Sequence, residues 1–160
     1  MKTIAFNING EKNSFSITAD EMLLDLLRRH GYKGAKWGCG EGSCGACTVI
    51  IDDRTVYSCI TYAFLADGKD VWTIEGLGTL DSPHPIQRAL IDEGAVQCGF
   101  CIPGMVLSAK AMFDKDPAPN NDTIKEYMDG NLCRCTGYEK IYTALQKVSA
   151  ANAQEVSNEH

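Results

Sequence analysis

The sequence predicts an α+β chain of two small units: a mixed sheet carrying one helix up to about residue 76, then a bundle of four short helices. Three observations lead there. Apolar/polar alternation is confined to the first half, helical periodicity is confined to the second, and the character changes at Gly76-Leu77-Gly78. At 160 residues the chain has room for one or two units of about 80 residues and no more. A composition of 44% hydrophobic and 22% charged residues supports a packed core and excludes disorder throughout.

Each element has its own signal. Ile4, Phe6 and Ile8 alternate with polar residues, Asn9-Gly10 is a two-residue hairpin turn, and Phe15 and Ile17 resume the alternation. Thr18-x-x-Glu21 has the form of a capping box ahead of Met22, Leu23, Leu26 and Leu27, whose helical spacing ends at Gly31. Strands are expected over 48–51 and 55–59, around an Asp52-Asp53 turn, and over 71–74 after Asp67-Gly68. Pro83 and Pro85 open a helix with Ile86, Ala89, Leu90 and Ile91, and Pro103 opens another through Met105, Val106, Ala109 and Met112. Pro117 and Pro119 end that helix. A third covers about 123–128, stopped by Gly130, and a fourth puts Tyr138, Ile141, Ala144, Leu145 and Val148 on one face. The expected organisation is a sheet unit at 1–76, a linker at 77–84 and a helical unit at 85–149. Residues 150–160, small and polar without an apolar period, are expected to form a mobile tail.

Charge and hydropathy narrow the function. Fifteen Lys and Arg against twenty-one Asp and Glu give a net charge of -6, the wrong sign for gripping a phosphate backbone, so nucleic acid is not an expected partner. The longest apolar runs fall far short of the roughly 18 residues of a membrane span. Met1-Lys2-Thr3 leads straight into the alternation without an apolar signal core, so a cytoplasmic location is expected, although a folded complex can also be exported on a partner's signal.

Eight cysteines stand out, and in a reducing compartment clustered thiols point to metal ligands or redox groups more than to disulfides. They fall four and four: Cys39, Cys44, Cys47 and Cys59, then Cys98, Cys101, Cys133 and Cys135, with thirty-eight residues between the groups. The first reads C-x4-C-x2-C, eleven residues, Cys, and its opening is the plant-type 2Fe-2S spacing. The second reads C-x2-C, thirty-one residues, C-x-C, a spacing that by itself names no cluster type. Four thiolates also suit structural zinc, but paired zinc knuckles usually space both pairs alike, and neither group does. In the loop from Gly38 to Cys47 four of ten residues are glycine, which lets backbone N–H groups approach the sulfurs of a bulky cluster and raise its potential. The second set precedes two helices, whose N-terminal dipoles favour thiolates, and a metal link there would brace a small helical unit.

Two other motifs fail on inspection. Gly38-x-Gly40 begins like a dinucleotide fingerprint, but its third glycine is replaced by Ser43 and a strand follows. Cys98-Gly-Phe-Cys101 matches a thioredoxin-like pair, which would leave six cysteines unexplained and lacks a βαβ surround.

Three segments are specific enough to carry a resemblance: GCGEGSCGACTV at 38–49, QCGFC at 97–101 and NLCRCTGY at 131–138. Over residues 3–149 the chain resembles the iron-sulfur subunit of molybdenum hydroxylases, the xanthine dehydrogenase and aldehyde oxidoreductase family. The resemblance implies a plant-ferredoxin-like (β-grasp) domain followed by a four-helix bundle. It also implies two 2Fe-2S clusters, one on Cys39, Cys44, Cys47 and Cys59, the other on Cys98, Cys101, Cys133 and Cys135. In that family the helical-domain cluster lies beside the molybdopterin and the ferredoxin-like one faces the flavin. Carried over by motif, Gln97 and the sulfur of Cys135 are the positions that touch the pterin; for Gln97 the plain alternative is a local backbone bond. Arg134 either offsets cluster charge, crosses a subunit interface or is simply a solvated cation. Trp37 either shields the first cluster or only packs. Ile102 departs from the family's usual threonine, and the loss of that hydroxyl is expected to retune the second cluster rather than remove it.

No flavin or nicotinamide fingerprint and no length for a molybdenum domain are present, so the expected role is an electron relay. A large molybdopterin-binding subunit would oxidise a heterocycle, purine or aldehyde, and a FAD-binding medium subunit or another acceptor would receive the electrons. A stand-alone two-cluster carrier and a zinc-stapled binding module are the alternatives.

Overall fold

The computed structural model describes residues 1–158. Strands β1 (Lys2–Ile8) and β2 (Glu11–Ile17) form the expected hairpin, with Asn9 and Gly10 both at positive φ in the two-residue turn. Ile4, Phe6, Ile8, Phe15 and Ile17 share its buried face. Strands β3 (Thr48–Ile51) and β4 (Arg54–Tyr57) make a second hairpin around Asp52-Asp53. The short β5 (Asp70–Trp72) lies parallel to β1 and antiparallel to β3, giving one mixed sheet of order β2-β1-β5-β3-β4.

Helix α1 (Leu23–Arg29) lies on this sheet and buries Leu23, Leu24, Leu26 and Leu27 completely. The expected Thr18/Glu21 capping box does not form. Met22 is the N-cap and its side chain caps nothing, because its backbone bridges to Tyr62 and the Leu23 N–H donates to the Thr61 carbonyl at 2.7 Å. Tertiary backbone thus takes the first orphan amide of the helix, the Met22 carbonyl takes that of Asp25 at 3.1 Å, and Glu21 pairs with Arg29 at 2.7 Å instead of capping. The strand expected over 55–59 stops at Tyr57, and Ser58–Ile60 is a 3-10 turn, so Cys59 sits on a turn rather than in the sheet.

Four helices follow: α2 (Pro85–Asp92), α3 (Ile102–Lys115), α4 (Asn121–Met128) and α5 (Glu139–Asn158). Ile86, Leu90, Met105, Met112, Ile124, Met128, Ile141 and Leu145 fill the space between them. Helix α4 begins earlier than the periodicity indicates because the Asn120 side chain accepts from the N–H groups of Asp122 and Thr123 at 3.0 and 2.9 Å. The mobile tail expected from residue 150 is instead a continuation of α5 to Asn158; residues 159–160 lie outside the described residues. Helical bonding propagates one residue at a time, and nothing in 150–158 interrupts it. A third apolar cluster joins the halves, with Ile50 of β3 packed on Leu107 and Ala111 of α3. Among the described residues no helix is long and apolar enough to cross a membrane.

Helix α2 carries an unusual cap. The His84 Nδ1 accepts from the Ile86 N–H at 3.3 Å, and the Gln87 side chain accepts from the His84 N–H at 2.8 Å. Burial, reinforced by Lys110, holds the His84 pKa below its ordinary 6.5. A depressed histidine contributes stability that is present above its unfolded pKa and lost as pH falls through the folded one. Thermal melts should therefore fall as pH drops below about 6.5, and His84→Asn, a cap that does not titrate, should remove that part of the slope; equal slopes in both proteins would refute it.

Candidate metal centres

All eight cysteines are free thiols. The first group is built by the loop between α1 and β3 together with the turn after β4. The β3-β4 register pairs Thr48 with Tyr57, and the Ser58 N–H and hydroxyl both donate to the Cys47 carbonyl, at 3.3 and 2.7 Å. That brings Cys47 next to Cys59, whose thiol adds to the upward push that burial gives Cys47. Cys39 and Cys44 form the other half: the Cys39 N–H donates to the Cys44 Sγ at 3.4 Å, and the amides of Glu41 and Ser43 donate to the Cys39 Sγ at 3.5 and 3.3 Å. The Ser43 side chain first, with those amides, holds the Cys39 thiol down at about 5, whereas burial pushes Cys47 up to about 11. Gly38 has to be glycine, since a Cβ there would stand 2.7 Å from the Cys44 Sγ.

The second group spans the turn before α3 and the α4-α5 loop. Cys98 and Cys135 are exposed with their sulfurs 3.5 Å apart; Cys101 and Cys133 are buried and shift each other's pKa. Burial and the Cys133 thiol push Cys101 up to about 12. Burial also raises Cys133, but the hydroxyl and amide of Thr136, at 3.0 and 3.4 Å, with the Cys135 amide and the Cys101 thiol, outweigh it and the net direction is down. The Phe100 amide, then Cys135, lowers Cys98, while Cys98 raises Cys135, the pattern of two thiols sharing one proton. The Tyr138 hydroxyl, on a residue at φ 67°, accepts from the Cys133 N–H at 2.8 Å and donates to the Asn131 carbonyl at 3.0 Å, bracing this loop.

Each group thus resolves into two pairs of sulfurs, the arrangement a two-iron cluster asks for, with two cysteines on each iron and amide N–H groups aimed at the sulfurs. Zinc would draw all four sulfurs to one point at about 2.3 Å. The sulfurs here stand in twos instead, with Cys98 and Cys135 3.5 Å apart and backbone N–H groups on the sulfurs of Cys39, Cys44 and Cys133. The donor sets therefore fit 2Fe-2S clusters.

A cavity of about 490 Å³ lies between the groups, lined by Cys39, Cys44, Cys98, Cys101, Cys133 and Cys135. The Leu132 N–H donates to the Cys44 carbonyl at 2.8 Å, so a backbone hydrogen bond joins the two cysteine loops directly. Gln97 is exposed beside Cys98, and Arg134 is exposed between Cys133 and Cys135. The Trp37 ring lies over Gly40 with its N–H on Asp25 at 3.1 Å and stays 53% exposed, so it lies over the loop without being packed inside the core. Ile102 is the first residue of α3, half-buried against the helical core. Sequence reasoning gave Thr136 and Asn131 no role and put Tyr138 on the apolar face of the last helix, whereas Tyr138 stands just before α5 at positive φ and its hydroxyl braces the loop.

Comparison with known proteins agrees with this geometry. The model of a 2Fe-2S iron-sulfur cluster binding domain matches residues 6–71, and that of a second 2Fe-2S binding domain matches 73–146. The chain is 47% identical to the nicotinate dehydrogenase small FeS subunit of Eubacterium barkeri, over 90% of this chain and 92% of that one. It is 40% identical to the nicotine 6-hydroxylase small subunit of Paenarthrobacter nicotinovorans, over 89% and 86%. In the crystal structure of quinoline 2-oxidoreductase from Pseudomonas putida 86, one chain superposes with a TM-score of 0.90 at 39% identity, covering 96% of both chains. With two matching domains in order and relatives of nearly the same length, the chain belongs to the two-cluster 2Fe-2S subunits of the xanthine dehydrogenase and aldehyde oxidoreductase family.

Proposed function

We propose that this chain is the electron-relay subunit of a cytoplasmic molybdenum hydroxylase, with Cys39, Cys44, Cys47 and Cys59 holding one 2Fe-2S cluster and Cys98, Cys101, Cys133 and Cys135 the other. The observation that carries this is the gathering of the eight cysteines into two groups of four that meet at one cavity, lined by two cysteines of the first group and all four of the second, with the two loops joined by the Leu132–Cys44 hydrogen bond. Bound 2Fe-2S clusters supply one-electron uptake and release, which turns a two-electron oxidation into single transfers. The protein's part is to fix their order and environment. The amides of Glu41 and Ser43 stabilise negative charge on the first site, and Thr136 does so on the second. Within a four-helix bundle, Cys98 and Cys135 open to the surface beside Gln97, and Val96, Phe100 and Leu132 are exposed around them. An apolar rim of this kind favours cover by a permanent partner, and we assign it to a large molybdopterin-bearing subunit, with Gln97 and Cys135 toward the pterin. The ferredoxin-like end would face a FAD-binding medium subunit. Relatives named for nicotinate, nicotine and quinoline make a nitrogen heteroaromatic the substrate class we infer for the assembled enzyme.

The test is to purify the tagged chain gently and without oxygen from its native host and to quantify molybdenum, flavin, iron and sulfide with the co-purifying polypeptides. Molybdenum, a large second subunit and about four irons and four sulfides per chain are expected. The same irons on a lone chain would make it a free carrier, and zinc without sulfide would overturn the cluster reading altogether.

A further inference from the structure

The two cysteine groups lie on segments far apart in sequence, and one buried side chain ties them. Asn131 is 2% exposed, and its side-chain amide reaches across the junction while its other polar groups are held by the helical half. Its Nδ2 donates to the Gly45 carbonyl at 2.9 Å and to the Thr48 Oγ1 at 3.3 Å, and its Oδ1 accepts from the Ser108 hydroxyl at 2.6 Å. Its backbone N–H donates to Met128 at 3.0 Å and its carbonyl accepts from Tyr138 at 3.0 Å. One residue therefore holds the first cysteine loop, β3, α3, the end of α4 and the start of α5.

Its position gives it leverage. Gly45 sits between Cys44 and Cys47, Asn131 stands two residues before Cys133, and the intervening Leu132 donates to the Cys44 carbonyl. Any shift of Asn131 relative to Gly45 moves Cys44 against Cys133. The backbones have been brought as close as they go: a Cβ on Gly104 would overlap the Gly45 carbonyl and stand 2.8 Å from the Asn131 Nδ2. A buried amide satisfied on three sides is a rigid spacer, because each lost bond would leave a polar group unpaired away from water.

We propose that Asn131 is a positioning residue that sets the spacing between the two cysteine groups and thereby the rate at which one electron passes from a reduced cluster on one group to an oxidised cluster on the other. This rests on the reading that both groups carry 2Fe-2S clusters.

The test uses the assembled enzyme from the native host, with wild type, Asn131→Ala and Ser108→Ala compared. Iron and sulfide content and the two paramagnetic signals of the fully reduced enzyme report loading; the magnetic splitting between the clusters reports their spacing. Both variants are expected to keep both signals and both midpoint potentials while the splitting changes, most in Asn131→Ala. Redistribution of an electron between clusters after rapid partial reduction should slow several-fold. Unchanged splitting and rate in a loaded variant would overturn the proposal. So would loss of one cluster's iron from both variants, since the residue would then be holding a cluster and not a distance. Absence of paired signals from the wild type would instead refute the two-cluster reading.

Discussion

Replacing Cys47 by serine should leave a protein with about half its iron and sulfide, one paramagnetic centre on reduction, and the second group's signal intact. Cys47 is 2% exposed, stands beside Cys59, and its thiol already needs a metal to ionise it because burial pushes it up to about 11. A serine hydroxyl is a far weaker acid, and buried in the same place it would stay protonated and bind iron poorly. The packing hardly changes, so loss of the whole chain is not expected. Iron analysis with low-temperature spectroscopy of the reduced protein decides it, and full iron with both signals would refute Cys47 as a ligand.

Gly45→Ala should be destabilising by about 3 kcal/mol, lowering the melting temperature by roughly 10 °C. Two effects add. Gly45 has φ +68°, where an L side chain is strained by about 1–2 kcal/mol. The new Cβ would also overlap the Gly130 carbonyl and stand 2.6 Å from the Asn131 Nδ2, so backbone must move. Gly68 supplies the control, because it has φ +74° with nothing within 4 Å of its would-be Cβ. Gly68→Ala should show the strain alone, and comparing the two melting curves isolates the crowding. Equal losses would mean that the junction is not tightly packed.

Much of this was legible beforehand, for reasons that differ by residue. The first hairpin follows from strict alternation around Asn9-Gly10, a local signal that needs no tertiary help. The cysteine spacings are legible because ligands must return to one place and leave a fixed signature. What escaped is what depends on partners distant in sequence. The α1 cap was misread because Thr61 supplies the acceptor across 38 residues, and a helix start cannot announce a backbone carbonyl elsewhere. Asn131 looks like a loop residue beside a cysteine; its role exists only because Gly45, 86 residues away, comes within 2.9 Å. The last turns of α5 escaped for the opposite reason, since a helix can continue without an apolar face to advertise it.

The sheet order β2-β1-β5-β3-β4 sets the sequence of events by which the first cysteine loop acquires its shape. Each hairpin is made of contacts only a few residues apart, which form fast but hold weakly until further strands join. The loop with Cys39, Cys44 and Cys47 hangs between the two hairpins, which share no ladder except through β5. That central strand is three residues long and is the last of the five along the chain. On a ribosome the sheet cannot be completed until residue 72 has emerged, well after every thiol of the first group. The first group's cysteines, three in the loop before β3 and one in the turn after β4, are thus tied to the first hairpin through a strand of only three residues.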